Sequence, residues 1–182
     1  MSQGNRPFDR VISGLSEIGL QTCLDENATG FLEGVKIIKG VLHYHPEAKI
    51  SNILHEAGHL ACLPRIFREK AEDDLSALEN EMCQYFDRIS IDHDNLESPM
   101  ARALMQCSDP EATAWAWAFG IHHSIMPHVI IEDEEYGNNG AIMRIQLGNR
   151  CYVGINGLQA AGFMENIQQW PKLTKWLQDA EE

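Results

Sequence analysis

The segment ILHEAGHLACLP, Ile53 to Pro64, holds His55, Glu56 and His59 with no proline before its end. On a helix at roughly 100° per residue, His59 lies about 40° round from His55 and one turn along. Both imidazoles then leave one face, at the spacing that two ligands of one tetrahedral zinc require. Glu56 falls about 100° from His55, beside such a metal, where a carboxylate can take a proton from metal-bound water. The chemistry implied is hydrolysis: three protein ligands and an open fourth position bring the pKa of bound water down to about 7, with Glu56 as general base. The competing reading is two histidines on a solvated helix face.

A third ligand must come from elsewhere in the chain, and Glu111 is favoured. It opens the apolar stretch EATAWAWAFG, and a carboxylate at the start of a buried helix needs a strong partner to offset its desolvation. The alternative is that Glu111 only complements the positive end of the helix dipole. His93, His122, His123 and His128 are rivals. His122 shares the face of Glu111 but stands about 16 Å along the axis, so the two cannot serve one metal. Cys62, one turn beyond His59, reads as a small apolar filler. Trp115 and Trp117 read as core, and Glu132 to Glu135 as a solvated loop without the alternating acid spacing of a calcium site. Tyr136, Tyr152 and His122 remain unranked as donors to an oxyanion.

The elements that must position these residues can be traced along the chain. Phe8, Val11, Ile12, Leu15 and Ile18 recur at helical spacing behind Pro7. VKIIKGVLHY reads as a strand, or as a hairpin pivoting at Lys39-Gly40. Pro46 opens the helix carrying the histidines, which runs to about Pro64. The wheel sets Ile50, Ile53, Leu54, Ala57, Leu60 and Ala61 opposite the histidines, so one face can enter a core while the other faces a cleft. Gly58 weakens this helix by about 1 kcal/mol relative to Ala, which suits a close approach by substrate or a neighbouring strand. A long acidic helix is expected from about Arg68 to Ile89, with Leu75, Leu78, Met82 and Phe86 on one side. Ser98-Pro99 and Asp109-Pro110-Glu111 are helix starts. Beyond Pro127, HVIIE reads as a strand, IMRIQL-GNR-CYVGI as a hairpin over Ile142 to Ile155, and WPKLTKWLQDA as a final helix packed through Leu173, Trp176 and Leu177.

With these elements in place, His55-Glu56-Ala57-Gly58-His59 followed by a helix beginning Glu111-Ala112, with an aromatic at Trp115, resembles the zincin metallopeptidases of the gluzincin type. The order of strand, H-E-x-x-H helix and E-A-x-x-aromatic helix is most similar to the small cytoplasmic ImmA/IrrE-type peptidase domains, over roughly Val35 to Met126. The resemblance implies zinc held by His55, His59 and Glu111, with Glu56 as general base. It also implies an α+β, zincin-like fold, mainly helical, with a small antiparallel sheet beside the H-E-x-x-H helix.

Length and composition set the frame. At 182 residues, 44% of them apolar, one substantial core and a single domain over 1–182 are expected. The 14 Lys and Arg are scattered against 27 Asp and Glu, a net charge of −13, which argues against a nucleic-acid partner and against an anionic membrane surface. No signal-peptide layout and no run of roughly 20 apolar residues is present, so a cytoplasmic location is expected. Five widely spaced cysteines without a C-x-x-C pair indicate reduced thiols. The expected function is a zinc-dependent metallopeptidase acting on a peptide or protein substrate. The alternative is a non-catalytic metal-binding or regulatory protein of the same fold.

Overall fold

The computed structural model describes residues 6–91 and 96–180. The fold is α+β and mainly helical, with one three-stranded sheet. Helix α1 (Pro7–Glu17) starts with Pro7 in its first turn, where the missing N–H would have had no partner, and buries Val11 and Leu15. The expected hairpin forms as β2 (Val35–Ile38) and β3 (Val41–Tyr44). Its turn residues Lys39 and Gly40 have φ of 47° and 74°, the double left-handed geometry that matches the twist of paired strands. A further strand, β1 (Thr22–Leu24), pairs parallel with β3 on its other side, giving the order β1-β3-β2. The sheet is therefore mixed, not antiparallel. Three residues that bury no side chain leave no alternation by which β1 could be read.

Helix α2 (Ile50–Cys62) carries the H-E-x-x-H segment, starting later than Pro46 and ending where Pro64 cannot continue it. Ile53, Leu54, Ala57, Leu60 and Ala61 are fully buried, as the wheel requires. One side of α2 rests on β2 and β3, and another runs along α6 (Asp109–His122). A methyl group at Gly58 would lie 2.4 Å from the carbonyl oxygen of Ala112, so the glycine admits a second helix backbone, not substrate or a strand. Residues 111–120 of α6 are all buried, which accounts for a helix apolar on every side.

Between α2 and α6 the expected long helix is broken. Helix α3 (Arg65–Arg68) is short, and seven residues separate it from α4 (Ser76–Ser90). The intervening segment is tied to the hairpin and to the loop before it: the Ala71 carbonyl accepts from Gly40 N–H at 2.9 Å, and the Asp73 carboxylate from Phe31 N–H at 2.9 Å and Ile37 N–H of β2 at 3.4 Å. Asp74 accepts from Ser76 N–H at 2.9 Å, at the start of α4. These acids cap and pair, where a helix would have left them to solvent. Helix α5 (Pro99–Met105) starts as expected, with Ser98 Oγ accepting from Ala101 N–H at 3.1 Å.

The C-terminal third departs from the sequence reading. HVIIE is no strand but the helical turn α7 (Pro127–Ile130), whose Ile130 packs on α6 at Gly120. A second turn, α8 (Glu135–Asn138), contains left-handed residues. In place of the hairpin stand α9 (Gly140–Gly148) and α10 (Val153–Ala160), separated where Arg150 has φ of 62°. Gly-Asn after an apolar run ends a helix as readily as it turns a hairpin, and short apolar runs do not distinguish the two. WPKLTKWLQDA is irregular, with its backbone satisfied by the rest of the fold: Thr174 N–H donates to Phe163 at 2.8 Å and Gln178 N–H to Ala61 at 2.8 Å. Among the described residues, no helix is long and apolar enough to cross a membrane.

Candidate metal centre

His55 and His59 leave the free face of α2 with side chains 20% and 12% exposed. Their Nε2 atoms lie 3.1 Å apart, with the rings edge to face. The third group is Asp109, whose Oδ1 is 3.0 Å from His59 Nε2 and 3.7 Å from His55 Nε2. Ligand atoms on the corners of a tetrahedron with metal bonds of about 2.0–2.1 Å stand about 3.3 Å apart, within this spread. The Asp109 side chain is 77% exposed, so the cluster opens to solvent on the side away from the core. Hydrogen bonds from His55 and His59 hold the Asp109 carboxyl well below the usual carboxylate range.

Glu111 is not brought to this cluster, which corrects the expected third ligand. Two residues along a helix is about 200° of rotation, so Asp109 and Glu111 look in opposite directions. Asp109 shares its face with Ala112, the residue under Gly58, and is thereby carried to the histidines. Glu111 Oε2 instead accepts from Ser108 N–H at 3.1 Å and Ser108 Oγ–H at 2.7 Å. It is 5% exposed, and its side chain fills the space over Gly157 of α10, where a methyl group would meet Oε1 at 1.9 Å. The reason given for a metal, a buried carboxylate in need of a partner, is met by the helix start itself. The sequence does not separate the two, because Asp109, Ala112, Ala116 and Glu111, Ala114, Ala118 repeat one small-residue spacing; the approach of α2 at Gly58 to Ala112 selects the first.

Glu56 is 7% exposed, and burial pushes its carboxyl up, opposed by the nearby His59 and His55. Tyr136, from the α8 turn, reaches the cluster from above. Its Oη lies 2.9 Å from Thr113 Oγ1 and 3.4 Å from His55 Nδ1. Burial raises its phenol to about 12, so it stays protonated. Tyr136, Gly137 and Asn138 have φ of 53°, 66° and 67°; a bulky residue in that region is strained, and strain of this kind gathers at functional sites. The turn is fixed from both sides, by an ion pair between Lys49 and Glu132 and by Arg144, which binds Asp133 and the Ile131 carbonyl.

Tyr152 hydrogen-bonds Thr113, the residue that also bonds Tyr136, and burial raises its phenol, opposed by that bond and assisted by the nearby Glu111 and Asp109. The other expected residues lie apart. His122 packs against Trp176 and His123 against Phe119, with tilted rings, at the other end of α6. His128 is exposed on α7, and His93 lies outside the described residues. Cys62 is fully buried in the core, where burial pushes its thiol well up. Trp115 and Trp117 are core residues.

Two cavities meet at the cluster. One, of about 380 Å³, touches His55 and Asp109 and is bounded by Thr113, Tyr136 and Ser51, whose buried Oγ has no partner among the described residues. The other, of about 640 Å³, touches His59 and Asp109 and extends beneath α4 and α5. The arrangement is two imidazoles and one carboxylate that could hold a metal ion, in the floor of a cleft that continues in both directions. No family model, no curated protein and no solved structure matches the chain.

Proposed function

We propose that the protein is a zinc-dependent hydrolase of amide bonds, with a peptide or protein chain as substrate. The carrying observation is the convergence of His55 Nε2, His59 Nε2 and Asp109 Oδ1 within 4.8 Å of one another, beside a buried glutamate and at the junction of two cavities. Two imidazoles and a carboxylate suit zinc, and the solvent-facing side of Asp109 leaves a fourth position free. Zinc held there would supply a water ionising near pH 7 and a Lewis acid for the scissile carbonyl. Glu56 takes the proton of the attacking water and returns it to the leaving amine; its raised carboxyl brings it closer to neutral, where an acid–base group works best. The Tyr136 phenol, protonated and beside His55, is the donor available to the oxygen that gains charge.

Metal analysis with substitutions on both carboxylates tests the reading. Purified wild type should carry one zinc per chain. Asp109→Ala should lose it, while Glu111→Gln keeps it, because a glutamine still caps Ser108. Glu56→Gln should retain zinc and lose hydrolysis of a peptide mixture by at least a hundredfold. Wild-type protein free of zinc, or a Glu56→Gln variant that cleaves as fast as wild type, is the result that would overturn it.

A further inference from the structure

Helix α4 carries an amphipathic stripe at the edge of the core, to which it gives Leu78 and Met82. Leu75, just before its first residue, and then Leu78, Met82 and Phe86 follow at intervals of three or four, beside Glu79, Cys83 and Asp87, four residues apart from one another. The helix packs chiefly on α5 and is tied to α3 through the Phe67–Tyr85 ring contact. Its stripe lines the 640 Å³ cavity, whose opposite wall is Leu63, Leu104 and Met105, and whose end is His59 and Asp109. An apolar stripe of that kind normally rests on a neighbouring element. Here the stripe packs on the core and also lines a space within the roughly 300–1,000 Å³ range of ligand pockets. The polar edge is anionic: Glu79 and Asp87 stand on the rim, and among the described residues neither Lys nor Arg lines the cavity.

We infer that this cavity selects the substrate, admitting a bulky apolar side chain next to the scissile bond and holding a Lys or Arg of the same peptide at its rim, against Glu79 and Asp87. The inference rests on the hydrolase reading for what happens after binding, but not for binding itself. Apolar walls favour leucine, methionine or phenylalanine over glycine by the transfer of that side chain out of water. The carboxylates, on a chain of net charge −13, favour a cationic flank and repel an acidic one.

Capped nine-residue peptides provide the test, with central Leu flanked by Arg, and with Leu replaced by Gly or Arg by Glu. Their affinity for zinc-loaded Glu56→Gln protein is measured by fluorescence anisotropy, and their cleavage by wild type by mass spectrometry. The Leu/Arg peptide should bind at least tenfold more tightly than either control. Met82→Trp, which fills the cavity, should erase the Leu preference, and Glu79→Lys on the exposed edge should erase the Arg preference without touching the apolar walls. Equal affinity for the Leu and Gly peptides, or no binding of any, overturns the inference. Tight and selective binding without cleavage by wild type overturns the hydrolase reading and leaves the pocket standing; cleavage indifferent to the central residue does the reverse.

Discussion

At the scale of single residues, the site separates groups that touch the reacting atoms from groups that hold others in place. Tyr136 Oη lies on the Nδ1 side of His55, while Nε2 faces the cluster. An imidazole that binds metal through one nitrogen is oriented by what the other nitrogen donates to, and losing such a partner lowers metal affinity about 10–100-fold. Tyr136→Phe should therefore weaken zinc binding by about tenfold, the lower end because the contact is long; competition with a chromophoric chelator measures it. An unchanged affinity would leave Tyr136 a role toward substrate alone. Glu56 makes a second expectation. Burial holds its carboxyl above the unfolded value, so the fold favours the protonated form, and stability is lost as pH rises from the unfolded toward the folded value. In the presence of chelator, Glu56→Gln should then be more stable than wild type near pH 7.5, with the gap closing near pH 4, as urea unfolding at the two pH values would record. Loss of stability at both would mean that the carboxylate makes contacts a carboxamide cannot replace.

At the scale of elements, the crossing of α2 and α6 assembles the site. Gly58 brings the two backbones together at Ala112, and Asp109, one turn earlier on the same side of α6, is carried to the histidines by that contact. Gly58→Ala inserts a methyl group 2.4 Å from a carbonyl oxygen that neither helix can move freely. It should cost about 1–3 kcal/mol and weaken zinc binding as well, measured by denaturant unfolding and metal titration. A stable variant with an intact metal site would show that the helices can part without moving Asp109. This crossing also explains what was legible in the sequence. The wheel of α2, the Lys39-Gly40 turn and the start of α5 rest on local chemistry and are found where their residues indicate; α6 starts one residue early, with Ser108 and not Asp109 as its cap. The choice between Asp109 and Glu111 was not local, because both are acids in the first turn of one helix. Only the partner of each face decides between them: Gly58 lies under one, Gly157 under the other. The segments misread as a strand at 128–132 and a hairpin at 142–155 failed for a related reason. Their apolar residues are too few to fix a period, and they pack on helices, not on a neighbouring strand: α7 and α10 on the buried α6, and α9 on α7 and α8.

At the scale of the molecule, the candidate ligands join distant parts of one chain: His55 and His59 lie some fifty residues before Asp109, and the segments between them form the roof of the larger cavity. A cation bound by all three would bind the folded chain and not the unfolded one, in which these residues are no longer held together. Binding of that kind is stabilisation: free zinc at a hundred times its dissociation constant adds about 2.7 kcal/mol. For a chain of 182 residues, in which 1 kcal/mol moves the melting temperature by about 2–4 °C, the expected rise over chelator-treated protein is about 5–11 °C. Asp109→Ala should lose most of that rise while its metal-free melting temperature stays close to wild type, since the side chain is exposed and its partners among the described residues are the two histidines. Differential scanning fluorimetry with zinc, magnesium and chelator arms measures this directly. Equal melting temperatures in all three would leave His55, His59 and Asp109 as a hydrogen-bonded cluster on a helical protein, and the hydrolase reading would fall with the metal.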